Sequence, residues 1–99
     1  MADFPIEFHT DATEEYLSAV AWYRQQSPKA AENFAKAFDQ AIEHIRQSPG
    51  RWPVYFKRCR RYTLRQFPFT IVYQSGPSLT RVVAVAHGSR RPRYWKNRL

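Results

Sequence analysis

The period of the apolar residues changes once along this chain, at Ser48-Pro49-Gly50, and that change sets the order of its parts. Before it, apolar residues recur every three or four positions. Tyr16, Val20 and Tyr23, with Leu17 beside them, predict a first helix. It opens where Asp11 and Glu14 resemble a capping box and runs to about Gln26. Ser27-Pro28 predicts a second helix start, with Ser27 as cap and Pro28 at the first helical position, where its missing N–H costs nothing. Phe34, Phe38, Ala41, Ile42 and Ile45 form the apolar stripe of that helix. Two helices with almost no linker predict an antiparallel hairpin. Ahead of them, Ile6 to Phe8 reads as a short strand.

Beyond Gly50 the period falls to two. Arg58 to Gln66 predicts a strand with Tyr62 and Leu64 on one face and Arg61, Thr63 and Arg65 on the other. Phe69 to Gln74 predicts a second, and Leu79 to His87 a third, rich in the strand formers Val82, Val83 and Val85. Phe67-Pro68 and Ser75-Gly76-Pro77-Ser78 supply the short links, which favour an antiparallel meander. The expected fold is therefore α+β: a short N-terminal strand, an antiparallel helical hairpin, then a three-stranded antiparallel meander with the helices packed on one sheet face. The other face is expected to stay open and carry Arg61 and Arg65. No linker, repeat or low-complexity segment divides the chain, so residues 1–99 read as one domain.

The same boundary divides the charge. From Arg51 to Leu99 there are twelve Lys or Arg and no acidic residue, whereas the first fifty residues hold four basic and all eight acidic ones, a net −4 followed by +12. Salt weakens scattered charges, but so many uncompensated cations on one small domain project a field that recruits polyanions or acidic partners. The 43% apolar content and sixteen per cent aromatics exclude a disordered basic tail. The lone Cys59 cannot form an internal disulfide, which suits a reducing cytoplasm. No apolar run reaches the roughly 20 residues that span a bilayer. Met1 to Phe8 lacks the order of an export signal, so the expectation is a soluble cytoplasmic protein without membrane contact.

The densest candidate cluster is the carboxyl end, His87-Gly88-Ser89-Arg90-Arg91-Pro92-Arg93-Tyr94-Trp95-Lys96-Asn97-Arg98. Arginine forks bind phosphates or carboxylates bidentately, and interleaved aromatics such as Tyr94 and Trp95 can stack on bases. The plainer reading is a solvated tail whose Tyr94 and Trp95 tuck against the core. Arg58, Arg60, Arg61 and Arg65 share one predicted strand; charge there also serves to protect an edge strand from self-association. Arg61 and Arg65, on one face, are the better anion candidates. His87 closes the last strand, where a neutral imidazole among arginines can act as general base or acid. His9, His44 and Cys59 have no metal-ligand spacing, and no phosphate-cradling glycine loop or nucleophile elbow is present. No cofactor or metal is expected.

Three stretches carry a family resemblance: Leu64-Arg65-Gln66-Phe67-Pro68-Phe69-Thr70-Ile71-Val72-Tyr73, Val82-Val83-Ala84-Val85-Ala86-His87 and Arg91-Pro92-Arg93-Tyr94-Trp95. Together they resemble the RelE/ParE toxin superfamily, most closely its ParE-like, plasmid-stabilisation branch. The likeness covers nearly the whole chain, the helical hairpin included. It implies the toxin half of a type II toxin–antitoxin module, with a small cognate antitoxin as partner.

The resemblance also implies two possible targets. ParE-like members poison DNA gyrase; RelE-like members cut messenger RNA on the ribosome. In the nuclease branch the strand resembling Arg58 to Gln66 carries two basic catalytic residues. Arg61 matches the first by position, but Thr63 stands where the second is expected, and Thr70 replaces an arginine usual in the next strand. A binding inhibitor would use Arg61, Arg65, Arg90, Arg91, Arg93, Tyr94 and Trp95 to meet its target. A metal-independent endoribonuclease would instead use His87 or Tyr94 to move protons beside Arg61. A nucleic-acid-binding module without toxicity is the third reading. The balance of the missing cations favours gyrase inhibition over an enzyme.

Overall fold

A computed structural model describes residues 5–99; the part of the export-signal reading that falls on residues 1–4 lies outside them. The elements are β1 (Ile6–Phe8), α1 (Thr10–Gln26), α2 (Pro28–Gln47), β2 (Val54–Phe56), β3 (Cys59–Thr63), β4 (Phe69–Ser75), β5 (Thr80–His87) and a 3₁₀ helix (Tyr94–Arg98). One five-stranded sheet has the order β1-β5-β4-β3-β2. The three central strands form the antiparallel meander, while β1 returns parallel to β5, so the sheet is mixed.

The helix starts follow from local chemistry. Asp11 and Glu14 do not form the capping box: α1 begins at Thr10, and the His9 ring caps it by accepting the Asp11 N–H at 3.0 Å. Histidine is a rare cap, and its imidazole nitrogen does there what a Ser or Asp oxygen usually does. Ser27 alone links the helices. Its N–H donates to the Tyr23 carbonyl at 3.0 Å, closing α1, while its Oγ accepts from Ala30 N–H at 2.9 Å, opening α2. A one-residue joint leaves the hairpin little freedom in how its helices cross.

The α2 stripe is buried as the spacing requires, from Ala31 and Phe34 through Phe38, Ala41, Ile42 and Ile45. From α1 come the small buried residues Ala12 and Ala19, with Tyr16, Val20 and Tyr23 packed at the margin. Leu17, grouped with that stripe by sequence, is instead 58% exposed. The Phe67-Pro68 link is held to the hairpin by aromatic edges, with Phe67 5.3 Å from both Tyr23 and Phe34 ring centres.

The sheet contributes Leu64, Ile71, Tyr73, Val82 and Val85 to this core. A bulge places them: Val72 pairs with Ala84 and Tyr73 with Val82, so Val83 is an extra residue on β5. Val82 and Val85 therefore face the helices, whereas Val83 and Ala84 face away.

On the far face Cys59, Val72, Val83, Ala84 and Trp95 make a second, smaller core. That face is not fully open. The 3₁₀ helix lies over it, and Trp95 is only 3% exposed, which matches the plainer reading of the tail for this residue. Nor is β3 the sheet's edge, since β2 pairs outside it. The sequence gives little sign of β2, a three-residue strand next to Pro53. β3 also ends at Thr63, short of Gln66, leaving Arg65 in the loop. Arg60 turns out to be structural: it donates to the Gly50 and Trp52 carbonyls, and with the Tyr73 hydroxyl on the Pro49 carbonyl (2.8 Å) it pins the corner after α2.

Phe34 touches α1, the Phe67 link and the sheet at once. We predict that Phe34→Ala costs about 3–5 kcal/mol, read as a lower urea midpoint with unchanged slope.

Candidate functional site

Because β1 pairs with β5 only as far as Val82, the outer edge of β5 beyond that point needs other partners. Two side chains supply them. Glu15, from α1, accepts the Val85 N–H at 2.9 Å, and Arg98, from the 3₁₀ helix, donates to the Val83 carbonyl at 3.1 Å. The two also bond each other bidentately, at 3.0 and 2.9 Å. The Tyr94 hydroxyl donates to the same carboxylate at 2.7 Å. Arg90 approaches it at 3.8 Å, and Arg98 further reaches Asp11 at 3.6 Å. Glu15 thus fastens helix, strand edge and carboxyl-terminal tail together.

Burial opposes the charge on Glu15, but the bonds from Arg98, Tyr94 and the Val85 N–H outweigh it and hold the carboxyl below its ordinary value. Burial, then the bond to Glu15 and its negative charge, push the Tyr94 hydroxyl well above its usual range. Tyr94 is therefore a committed donor and a poor proton shuttle. Nothing in the sequence marks Glu15 apart from Glu14 beside it; only the fold aims one of them at the strand edge.

The sequence-predicted residues converge on the helix-free face. Arg61, His87, Arg90, Arg91, Arg93, Tyr94 and Trp95 line one cavity of about 210 Å³, completed by Tyr55, Thr70, Val72, Ala86, Gly88 and Pro92. Arg65 is absent from it, because the strand ends before that residue and its alternation with Arg61 lapses. Arg61 pairs with Val72 in the ladder and so stands on the far face, its guanidinium 3.7 Å from the centre of the Tyr55 ring. Arg90 lies 3.7 Å over Tyr94 and Arg93 4.9 Å over Phe56. The rings hold the guanidinium planes while the N–H edges stay available. Among the described residues, no carboxylate pairs with Arg61, Arg91 or Arg93.

Two residues where the nuclease branch carries cations are bonded to each other instead: Thr63 and Thr70 pair across the β3–β4 ladder, their hydroxyls 3.1 Å apart. His87 pairs with Phe69 and borders both this cavity and a larger cleft. Its Nδ1 accepts the Ser89 N–H at 2.9 Å and contacts the Ser89 hydroxyl at 2.8 Å, which assigns the neutral ring's proton to Nε2. Cys59 lies buried beneath the face, its thiol pushed up by that burial, and is inert. The larger cleft, about 630 Å³, runs between α1 and the end of β5 and includes the 56% exposed Trp22 with Tyr23, Pro68 and Phe69. Among the described residues no group of His, Cys, Asp and Glu is arranged to hold a metal, and no helix is long and apolar enough to cross a membrane.

A helical hairpin backs one face of a mixed sheet, and the other face carries the cations. The model of the ParE toxin of type II toxin–antitoxin systems, parDE, matches residues 6–92, and the chain belongs to that family. No curated protein sequence matches it. Among solved structures it is similar to the chromosomal ParDE toxin–antitoxin system of P. aeruginosa, with a TM-score of 0.74 at 12% identity over 85% of this chain and 95% of that one. A mutant of the E. coli toxin RelE in the free state is similar with a TM-score of 0.59 at 16% identity, over 89% of this chain and 86% of that one. At such identities the likeness is one of fold.

Removing the Glu15 charge tests the clasp. Glu15 and Arg98 side chains are 15% and 14% exposed, so Glu15→Gln should cost about 2–4 kcal/mol, less than a fully buried pair. The folded carboxyl is depressed, so its stabilisation is complete above the unfolded value near 4.5 and is lost as pH falls through the lower folded value. Denaturation midpoints measured from pH 7 down to acid should therefore fall for the parent and fall less for Glu15→Gln.

Proposed function

We propose that this protein is the toxin of a type II module, that it inhibits DNA gyrase by binding rather than by cutting a substrate, and that a cognate antitoxin holds it in check. The observation that carries the choice of mechanism is the commitment of the groups a nuclease would need. Tyr94 gives its hydroxyl to Glu15, His87 spends Nδ1 on Ser89, and Thr63 and Thr70 offer a neutral hydroxyl pair. A scissile phosphate on this face would meet arginines but no free proton-transfer pair. Binding needs only the charge.

Trp22, exposed on α1 in the larger cleft with Tyr23, Pro68 and Phe69, suits an amphipathic segment of an antitoxin, which would add the apolar contact that the cationic face lacks.

One feature favours the second reading, a ribosome-dependent endoribonuclease: Arg61 and the tail arginines do share a cavity with His87. The two readings part on simple measurements. Purified toxin added to gyrase and relaxed plasmid should block supercoiling and leave cleaved DNA; normal supercoiling at large molar excess would exclude this target. His87→Ala should remain toxic, with transcripts intact. Abrupt translational arrest with cut messages, abolished in His87→Ala, would establish the nuclease instead.

A further inference from the structure

We propose that the helix-free face of the sheet is a track for the sugar–phosphate backbone of duplex DNA, contacted without regard to base sequence. The choice of DNA rests on the reading of this toxin as an inhibitor of a DNA enzyme; the track itself rests on geometry.

The cationic surface does not stop at the cavity. Among the described residues, the non-glycine positions with left-handed backbone are Lys57 (φ 46°), Arg58 (φ 67°) and Arg93 (φ 58°), and all three are cations. Lys57 and Arg58 form the tight turn between β2 and β3, where Asn-Gly would fit without strain. Strained residues of this kind persist where the surroundings hold them, and they cluster at functional surfaces. Here Gln74 bonds the Lys57 carbonyl at 3.1 Å. Lys57 and Arg93 both lie on Phe56, at 5.6 and 4.9 Å from its ring centre, so the turn joins the tail across one aromatic side chain. A row of positive charge thus runs from the cavity to the sheet's corner. A single carboxylate or phosphate would need only part of it. An extended polyanion uses all of it.

Duplex is favoured over single strands by what the aromatics are already doing. Proteins that take unpaired bases offer them open aromatic faces. Here Tyr55 is covered by Arg61, Tyr94 by Arg90 and Phe56 by Arg93 and Lys57, and Trp95 is buried. The stacking platform that the interleaved sequence suggests is occupied by the chain's own cations. The cavity's 210 Å³ is also below the roughly 300–1,000 Å³ of pockets that enclose whole small molecules, and fits a phosphate group better than a nucleotide. Both long helices pack on the opposite face, leaving none to enter a groove, so the contacts fall on phosphates.

The test is fluorescence anisotropy of the full chain with a labelled short duplex and with one of its single strands, across a salt series. If four cations each meet a phosphate, the slope of log affinity against log salt is about −3.6, an affinity loss of about 150-fold between 50 and 200 mM. Duplex should bind more tightly than single strand. Arg61→Gln with Arg91→Gln should shrink the loss to about 12-fold, while Lys29→Gln with Lys36→Gln on α2 leaves it unchanged. Tighter binding of the single strand, or a flat salt slope for the unaltered protein, overturns the track even if the double variant fails to fold. Blocked supercoiling with a flat slope removes the track and keeps the gyrase reading; steep duplex binding with normal supercoiling does the reverse.

Discussion

One carboxylate organises this molecule. Glu15 projects from the second turn of α1 to the stretch of β5 that, among the described residues, lacks a neighbouring strand on its outer side, and there it replaces a ladder partner. An unpaired strand edge invites association with other chains, and a charged side chain lying along it closes that route while satisfying the backbone. The same carboxylate then gathers Arg98 and Tyr94, so the tail is fastened through side chains rather than through a sheet. Without that anchor the second core would lose its lid, because Trp95 lies between Tyr94 and Arg98 in the same short 3₁₀ helix.

The division of charge along the chain is consequently not the division of charge in space. Acidic residues of the first half reach across to the second: Glu15 and Asp11 engage Arg98, Glu15 draws Arg90, and Glu7 pairs with Arg81. These pairs spend three of the twelve cations on architecture, and Arg60 is spent on backbone carbonyls. The remaining cations of the helix-free face keep an uncompensated field, held in place by aromatic rings instead of by carboxylates. Such a surface is fixed in position yet electrically open, the combination that suits steering toward a polyanion.

The helical hairpin was legible because every signal agreed. Ser27 and Pro28 mark a boundary by their own backbone chemistry, and the stripe from Phe34 to Ile45 leaves one face to bury. The meander was legible for the same reason. What escaped were features set by tertiary partners. His9 caps α1 although imidazoles rarely do, and β2 is three residues whose pairing, not whose composition, makes it a strand. At the site, seven of the eight residues singled out from the sequence meet around one cavity, since tail and sheet arginines had only one uncovered face to share. Arg65 stayed outside because alternation was carried past the true end of β3. The stacking role given to Tyr94 and Trp95 missed what only packing reveals: one ring is roofed by an arginine and the other is interior.

The extra residue in β5 reaches further than the local kink it makes. Inserting Val83 reverses the phase of everything after it, so Ala86 looks toward the arginines while His87 pairs with Phe69 and turns its imidazole to the ring of that residue, 5.1 Å away. In an unbroken strand the histidine would instead stand on the same side as Arg61, away from the larger cleft that it now also borders. A single inserted amino acid is thus enough to decide which face of the sheet the histidine ring joins.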